Sequence, residues 1–154
     1  MHKHKSIILR VLTSTLLVCA SPLTFGEQDP EAVIKFRQGV MKAQGGHMAA
    51  MAQIVRGNVN YGDRLSIHAK ALNSIIGNIT ELFPEGSDFG ETEAKEEIWE
   101  RWEKFEKSAS NADEKAQTFL QAVNAGDDKT IGSTFKELAE ACKACHKDFR
   151  QEEE

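Results

Sequence analysis

Apolar residues recur every three or four positions along four stretches of the chain, and this spacing is the strongest constraint on its fold. The stretches cover residues 31–56, 63–83, 93–124 and 128–151, and they show almost none of the alternation that predicts β-strands. Gly57, Pro84 and Gly126 lie where helices are expected to end. Narrow apolar stripes of this kind are typical of helices that cross at about 20°. We therefore predict an all-α fold, an antiparallel up-down-up-down four-helix bundle.

The alternative is a pair of longer helical hairpins that bury their apolar faces only by dimerising. A folded part of about 128 residues can close a core by itself, so the monomeric bundle is preferred.

The first 26 residues differ in composition from the rest of the chain. Residues 2–10 are rich in basic side chains, residues 11–23 are mostly apolar, and small residues precede a cleavage point after Gly26. This pattern predicts a Sec-type signal peptide over residues 1–26 and a bundle domain over residues 27–154, with cleavage after Ala20 as a second option. The apolar run is shorter than the ~20 residues that span a bilayer, so we expect export to the periplasm without a membrane anchor.

After removal of residues 1–26 the chain keeps 16 basic and 24 acidic residues, a formal net charge of −8. An acidic surface repels phosphate groups, which argues against nucleic acids and anionic membranes as partners. Only two cysteines remain in this part of the chain, Cys142 and Cys145.

These two cysteines belong to the sequence Cys-Lys-Ala-Cys-His over residues 142–146, which has the spacing of a haem c attachment motif. In a helix, residues three and four positions apart lie on the same face, so both thiols and the imidazole of His146 project together. The thiols can then bond a porphyrin edge while the imidazole approaches the iron. The motif predicts one covalent haem c, with its iron, in the core of the bundle.

Three other interpretations of the motif remain. A thioredoxin-like redox pair places its first cysteine at a helix N-terminus, whereas this pair lies near the end of the last helix. A zinc site needs a fourth ligand, for which only His47 and His68 are available. A structural disulfide accounts for both cysteines but gives His146 no role.

With this motif at the end of the last predicted helix, the chain resembles the cytochrome c′ family, the class II c-type cytochromes, over residues 31–150. Three segments carry the resemblance: residues 35–41 (KFRQGVM), 92–99 (TEAKEEIW) and 142–150 (CKACHKDFR). Glu96 departs from the family, which often has proline there. The resemblance implies thioether bonds to Cys142 and Cys145 and an iron bond to His146. It also implies a proximal-side position for Arg150 and haem contacts from Arg37, Gln38, Thr92 and Glu93.

The resemblance places Met41 on the distal side of the iron, where it decides the function. A methionine bonded to iron gives a six-coordinate, low-spin haem suited to electron transfer. A methionine that only shields the iron leaves a five-coordinate, high-spin site that admits NO or CO. The Arg37–Gln38 pair resembles the high-spin pattern, so gas binding is favoured, and an electron carrier with His146 and Met41 as ligands is the alternative. No residues suggest a catalytic base or nucleophile, and we predict that the protein is not an enzyme.

Several further residues have a structural interpretation. His47 and His68 are predicted to be hydrogen-bonded core or interface histidines, and Met48, Met51, Trp99 and Trp102 are predicted to fill the core. The guanidinium of Arg37 can bind haem propionates or lie solvated on its helix. Gly39, Gly45 and Gly46 allow close approach of a helix or a porphyrin. Since the family pairs through its first two helices, we expect a homodimer; the redox partner is unknown.

Overall fold

The computed structural model describes residues 28–151, and most of these residues belong to helices, with one long connection over residues 83–96. The α-helices are α1 (Pro30–Val55), α2 (Gly62–Ile76), α3 (Glu97–Glu100), α4 (Trp102–Ala125) and α5 (Asp128–Phe149), and a 3₁₀-helix covers Ile79–Leu82. Within residues 28–151 the only extended pairing is an isolated antiparallel bridge between Ala94 and Arg150. None of the helices in this range is both long enough and apolar enough to cross a membrane.

Helices α1, α2, α4 and α5 form the four-helix bundle. Each helix packs along the next in chain order, and α1 returns to α5 to close the ring. The contact between α1 and α5 is far less extensive than those of α1 with α2, α2 with α4 and α4 with α5. The bundle is therefore most open along the seam between its first and last helices.

Local sequence sets several helix ends. The Asp29 carboxylate accepts a hydrogen bond from the backbone N–H of Glu31 at 3.1 Å, and Pro30 occupies the first turn of α1, where its missing N–H costs nothing. Asp127 caps α5 in the same way, by accepting from the N–H of Thr130 at 3.2 Å. Gly126 ends α4 with a φ of +73°, a backbone conformation that glycine adopts without a steric penalty.

The helix bounds differ from the prediction at three places. The second helix ends at Ile76 rather than at residue 83, because the backbone tightens into the 3₁₀-helix after Gly77. The third stretch is not one helix from residue 93: residues 93–95 pair with residues 149–151, and Arg101 separates α3 from α4 with φ −126° and ψ +49°. The last helix ends at Phe149 because Arg150 enters the bridge with Ala94.

The buried apolar side chains form two clusters. The long cluster runs between α1, α2, α4 and α5 and contains Met51, Leu65, Ala69, Leu72, Ile76, Ala112, Ala116, Phe119, Ala122, Ile131, Phe135, Leu138 and Ala141. The aromatic cluster contains Phe83, Ile98, Phe105 and Phe149, with ring centroids 4.8 Å apart for Phe83 and Phe105 and 5.4 Å apart for Phe105 and Phe149. The two clusters divide the interior of the bundle between its two ends.

Candidate haem-binding site

The Cys-Lys-Ala-Cys-His motif lies on α5 at the boundary between the two clusters. Cys142 packs against the long cluster and Cys145 against the aromatic cluster, and both are half-buried free thiols. His146 follows on the same helix with its side chain exposed. One turn of α5 therefore presents two thiols and an imidazole beside the apolar interior, as the spacing predicts.

The acid–base state of the thiols separates the competing interpretations. Burial raises the pKa of Cys142, and burial together with the neighbouring Cys142 and Asp148 raises the pKa of Cys145 to about 11. Both thiols are thus protonated near neutral pH. A reactive redox cysteine needs the opposite shift. Residues 28–151 also contain no group of three or more His, Cys, Asp or Glu that could hold a metal ion.

His146 is in the protonation state that a metal ligand requires. Its side chain is exposed on one side, but its neighbours displace water from the ring, and this partial burial lowers the pKa of His146. The Arg150 guanidinium lowers the pKa further, while the carboxylate of Glu93 opposes the change. The imidazole is therefore neutral near pH 7, with a nitrogen lone pair available for iron.

Arg37 is the most deeply buried charged side chain of the site, with 2% of its surface exposed. Its Nη1 donates to the carbonyl of Leu82 at 3.2 Å and to Ser87 Oγ at 2.9 Å. Its Nη2 donates to the carbonyl of Ser87 at 2.8 Å and to Thr92 Oγ1 at 2.9 Å. The guanidinium also stacks on Phe83, 4.6 Å from the ring centroid. Burial lowers the pKa of Arg37, yet a guanidinium stays charged at neutral pH.

All four of these acceptors are neutral. Among the ion pairs within residues 28–151, none involves Arg37. A buried cation without an anion is unfavourable by itself, and a carboxylate partner would neutralise it.

Gln38 and Thr92 also hold the loop over residues 82–94 against α1. Gln38 Nε2 donates to the carbonyl of Glu91 at 2.7 Å, and Thr92 Oγ1 accepts from the backbone N–H of Ala94 at 3.1 Å. Arg37, Gln38 and Thr92 were predicted to contact haem, and the structure shows them holding one another and the loop over residues 82–94. Their haem contacts stay predictions.

Glu93 and Arg150 form a second tie at the end of α5. Arg150 Nε lies 3.7 Å from Glu93 Oε2 across a solvent-exposed ion pair. The backbone reinforces it, since the N–H of Gln151 donates to the carbonyl of Glu93 at 2.8 Å. This tie brings the loop before α3 next to the helix that carries His146.

Met41 and Cys145 approach the same cluster from two neighbouring helices, α1 and α5. Met41 on α1 is half-buried and packs against the aromatic cluster, as does Cys145 on α5. Trp99 and Trp102 pack there too, and Trp99 Nε1 donates to the carbonyls of Phe83 and Pro84, both at 3.2 Å. The predicted distal residue thus lies on the same apolar surface as the second cysteine of the motif.

Two residues of this region were not predicted. Ser87 is 1% exposed and binds Arg37 through both its hydroxyl and its carbonyl, and Phe83 lies under the guanidinium. Ser87 stands in a loop of small and acidic residues, where apolar spacing gives no sign of a buried hydroxyl. Phe83 directly precedes Pro84. The one sequence signal for its burial was its position directly after the apolar stripe of the second predicted helix.

The residues present fit a haem c. Two protonated thiols and a neutral imidazole share one face of α5, which is the donor set that thioether attachment and iron ligation need. The seam between α1 and α5 is the most open in the bundle and is bordered by apolar and aromatic side chains. Arg37 supplies a buried positive charge without a carboxylate partner, and its Nε–H is the one donor that the four hydrogen bonds leave for a haem propionate.

Comparison with known proteins decides the family. The family model described as Cytochrome C′ matches residues 32–150. The chain belongs to the cytochrome c′ family. Its cofactor is therefore haem c with its iron. A cytochrome c′ of Pararhodospirillum photometricum is 34% identical over 123 residues, which cover 79% of this chain and 98% of that protein.

Solved structures agree with the cytochrome c′ fold. The nitric oxide complex of a variant of cytochrome c prime from Alcaligenes xylosoxidans has a TM-score of 0.76 at 23% identity, covering 82% of this chain and 99% of that one. A carbon monoxide-bound variant from the same organism has a TM-score of 0.75 at 24% identity, covering 80% and 98%. The predicted all-α four-helix bundle is confirmed.

Proposed function

We propose that this cytochrome c′ is exported to the periplasm and binds NO and CO at a five-coordinate haem held by Cys142, Cys145 and His146. The observation that carries the proposal is the convergence of two protonated thiols and a neutral imidazole on one turn of α5. Cys142, Cys145 and His146 would hold the haem, and its iron would supply a centre that can take a small ligand. The proposed role is binding, and no enzymatic activity is part of it.

The apolar surroundings support a neutral diatomic ligand. Met41, Trp99 and Trp102 pack on the aromatic cluster beside Cys145, so an incoming molecule meets thioether and ring surfaces rather than charges. Distal polarity and access are the properties that set ligand choice in haem proteins. The NO and CO complexes of the structural relatives are consistent with the same ligand class.

We propose that Met41 shields the iron without bonding it. The alternative is a low-spin electron carrier in which Met41 is the sixth ligand opposite His146. Visible spectra of the purified ferric and ferrous protein, with and without NO and CO, distinguish the two. We expect a high-spin ferric spectrum and gas adducts in the ferrous state. A low-spin ferric spectrum with the weak red band of a thioether–iron bond, and no adduct, establishes the electron carrier instead.

A Met41→Ala variant tests the same question from the protein side. If Met41 only shields, the ferric spectrum stays high-spin and CO binds faster, because the side chain no longer blocks access. If Met41 bonds the iron, the same change converts a low-spin spectrum to a high-spin one. Met48→Ala is the matched control, since Met48 is also a half-buried methionine of α1 but packs against the long cluster. The control is expected to change neither property.

Export is the part of the proposal that concerns residues 1–26, which lie outside the described residues. Their composition supports a signal peptide that is removed after Gly26 or after Ala20, leaving a domain over residues 27–154. Fractionation of a bacterial host, with mass spectrometry of the mature N-terminus, tests this. Retention of Met1 in a cytoplasmic product overturns it.

We also propose a homodimer through α1 and α2. Phe36 on α1 and Ile67 on α2 are 65% and 60% exposed, although both are large apolar residues. A Cβ added at Gly39, Gly45 or Gly46 would have no atom of residues 28–151 within 4 Å outside its own helix backbone, so packing among these residues does not require glycine there and a second copy can approach. Light scattering should give a dimer that Phe36→Glu dissociates. Phe89→Glu is the control, since Phe89 is 53% exposed in the loop before α3.

A further inference from the structure

His47 and His68 form a pair that the haem site does not use. His47 lies on α1 and His68 on α2, and their Nδ1 atoms are 2.9 Å apart. The rings meet edge to face, with centroids 5.2 Å apart and planes at 61°. Both side chains are half-buried, so the pair remains within reach of solvent.

The pair is chemically isolated within the described part of the chain. No hydrogen bond or ion pair from residues 28–151 joins either ring to a carboxylate, and each ring contacts its neighbour through Nδ1 alone. The only buried side-chain atom without a partner in this range is Asn73 Oδ1, so neither Nε2 is both buried and unpaired. Two imidazoles from different helices therefore hold their Nδ1 atoms together at a surface open to small solutes.

We propose that His47 and His68 bind a divalent transition-metal ion, with Cu²⁺ preferred, through their two Nδ1 atoms. In the observed hydrogen bond one neutral ring carries its proton on Nδ1 and the other accepts it. For both to bind a metal, the donating ring moves that proton to Nε2, so two neutral imidazoles coordinate the ion and no net proton is released. Imidazole nitrogen is a preferred ligand of Cu²⁺, Ni²⁺ and Zn²⁺.

The spacing of the pair favours a right-angled geometry. With metal–nitrogen bonds of about 2.0–2.1 Å, two ligands at 90° have nitrogens about 2.9 Å apart, whereas tetrahedral ligands are about 3.3 Å apart. The observed 2.9 Å matches adjacent positions of the tetragonal coordination typical of Cu²⁺ and Ni²⁺. The centroid distance of 5.2 Å shows that the nitrogens now point nearly at each other, so each ring must turn by about 45° to converge on an ion with two ligands at right angles.

The remaining coordination positions are open to water or to a second copy of the chain. Because the pair spans α1 and α2, two copies associated through these helices bring further imidazoles toward the same surface. The metal site does not require a dimer. The number of metal ions bound per chain shows whether two copies share the site. One ion per chain indicates a site completed by water, and one ion per two chains indicates a shared site.

Calorimetric titration of the haem-loaded protein with CuCl₂ tests the proposal, on protein processed after residue 26 and purified without a histidine tag. We expect saturable copper binding. His47→Ala and His68→Ala should each lower the copper affinity at least about tenfold, because even the loss of a residue that only hydrogen-bonds to a metal ligand has an effect of about that size. Gln44→Ala is the matched control. Gln44 also links α1 to α2, by donating from Nε2 to the carbonyl of Ile75 at 3.2 Å, but carries no imidazole.

The outcomes separate clearly. Copper binding that is lost in both histidine variants and kept in the control supports the site. Binding that is absent, or unchanged in the histidine variants, shows that the pair is only a hydrogen bond between helices and overturns the proposal. The haem spectrum and NO binding of each variant are recorded separately, so failure of the metal site is distinguishable from failure of the proposed gas-binding function.

Discussion

Arg37 on α1 and Ser87 in the loop before α3 are joined by two hydrogen bonds, one from Nη1 to Oγ at 2.9 Å and one from Nη2 to the carbonyl at 2.8 Å. Their exposed fractions are only 2% and 1%. A charged side chain buried this deeply is retained only where its hydrogen bonds are made. The pair therefore fixes the loop that carries Thr92 and Glu93 against the first helix.

Replacement of Arg37 by alanine should lower the free energy of unfolding by about 2–4 kcal/mol, because it removes four hydrogen bonds and leaves buried acceptors without a donor. Urea denaturation of the haem-loaded protein measures the change. The control is Lys35→Ala, which removes an exposed ion pair with Glu31 and is expected to cost less than about 0.5 kcal/mol. If both variants unfold alike, the loop is not held by Arg37.

The exposed ion pair between Glu93 and Arg150 should contribute less to stability than the buried Arg37. Its side chains are 59% and 45% exposed and its atoms are 3.7 Å apart, so solvent weakens the attraction. A double-mutant cycle with Glu93→Ala and Arg150→Ala should give a coupling energy below about 1 kcal/mol, since the backbone bridge through Ala94 survives both changes. A coupling of several kcal/mol is incompatible with an exposed pair.

Leu72 tests whether stability and haem binding can be separated. It is 1% exposed in the long cluster and lies on α2, and Leu72→Ala should lower the free energy of unfolding by about 2–5 kcal/mol through lost contacts and a cavity. The visible spectrum should not change, because α5, the aromatic cluster and Met41 are untouched. A variant as stable as the parent, or one with an altered spectrum, contradicts this division of the core.

The thiol of Cys145 gives a prediction about pH in the haem-free chain. Burial is the chief cause that raises the pKa of Cys145 to about 11. Below pH 9 the fraction of Cys145 present as thiolate is therefore about a hundredfold smaller than that of a thiol with a pKa of 9.0. A Cys142→Ser variant loses the contribution of Cys142 to this pKa but keeps the burial, so alkylation of Cys145 in it should be slow at pH 8 and should still accelerate about tenfold per pH unit above pH 9. The urea-unfolded chain is the reference. Equal rates in the folded and unfolded chains show that burial does not protect the thiol.

The sequence was most informative where function depends on neighbours along one helix. The spacing of Cys142, Cys145 and His146 predicts a shared helix face because it depends only on the geometry of one turn, and the structure shows that face at the edge of the core. The first helix likewise lies within a residue of its predicted ends, since Asp29 and Pro30 are local signals.

Features that depend on distant partners could not be predicted. Gly77 directly follows Ile76 and is a local signal for a helix end, but the apolar stripe continues to Leu82, so apolar spacing extends the predicted helix too far. Ser87 is buried because Arg37, 50 residues away, binds it. His47 and His68 were expected to be hydrogen-bonded, but their pairing depends on the register of α1 against α2, which apolar spacing does not determine.

The most direct test of covalent haem attachment is the intact mass of the mature protein under denaturing conditions, after expression in a host that matures c-type cytochromes. We predict one species at the polypeptide mass plus one haem, and a Cys142→Ala, Cys145→Ala double variant at the bare polypeptide mass. A parent protein at the bare polypeptide mass, without the Soret absorption of a haem, would contradict covalent haem attachment.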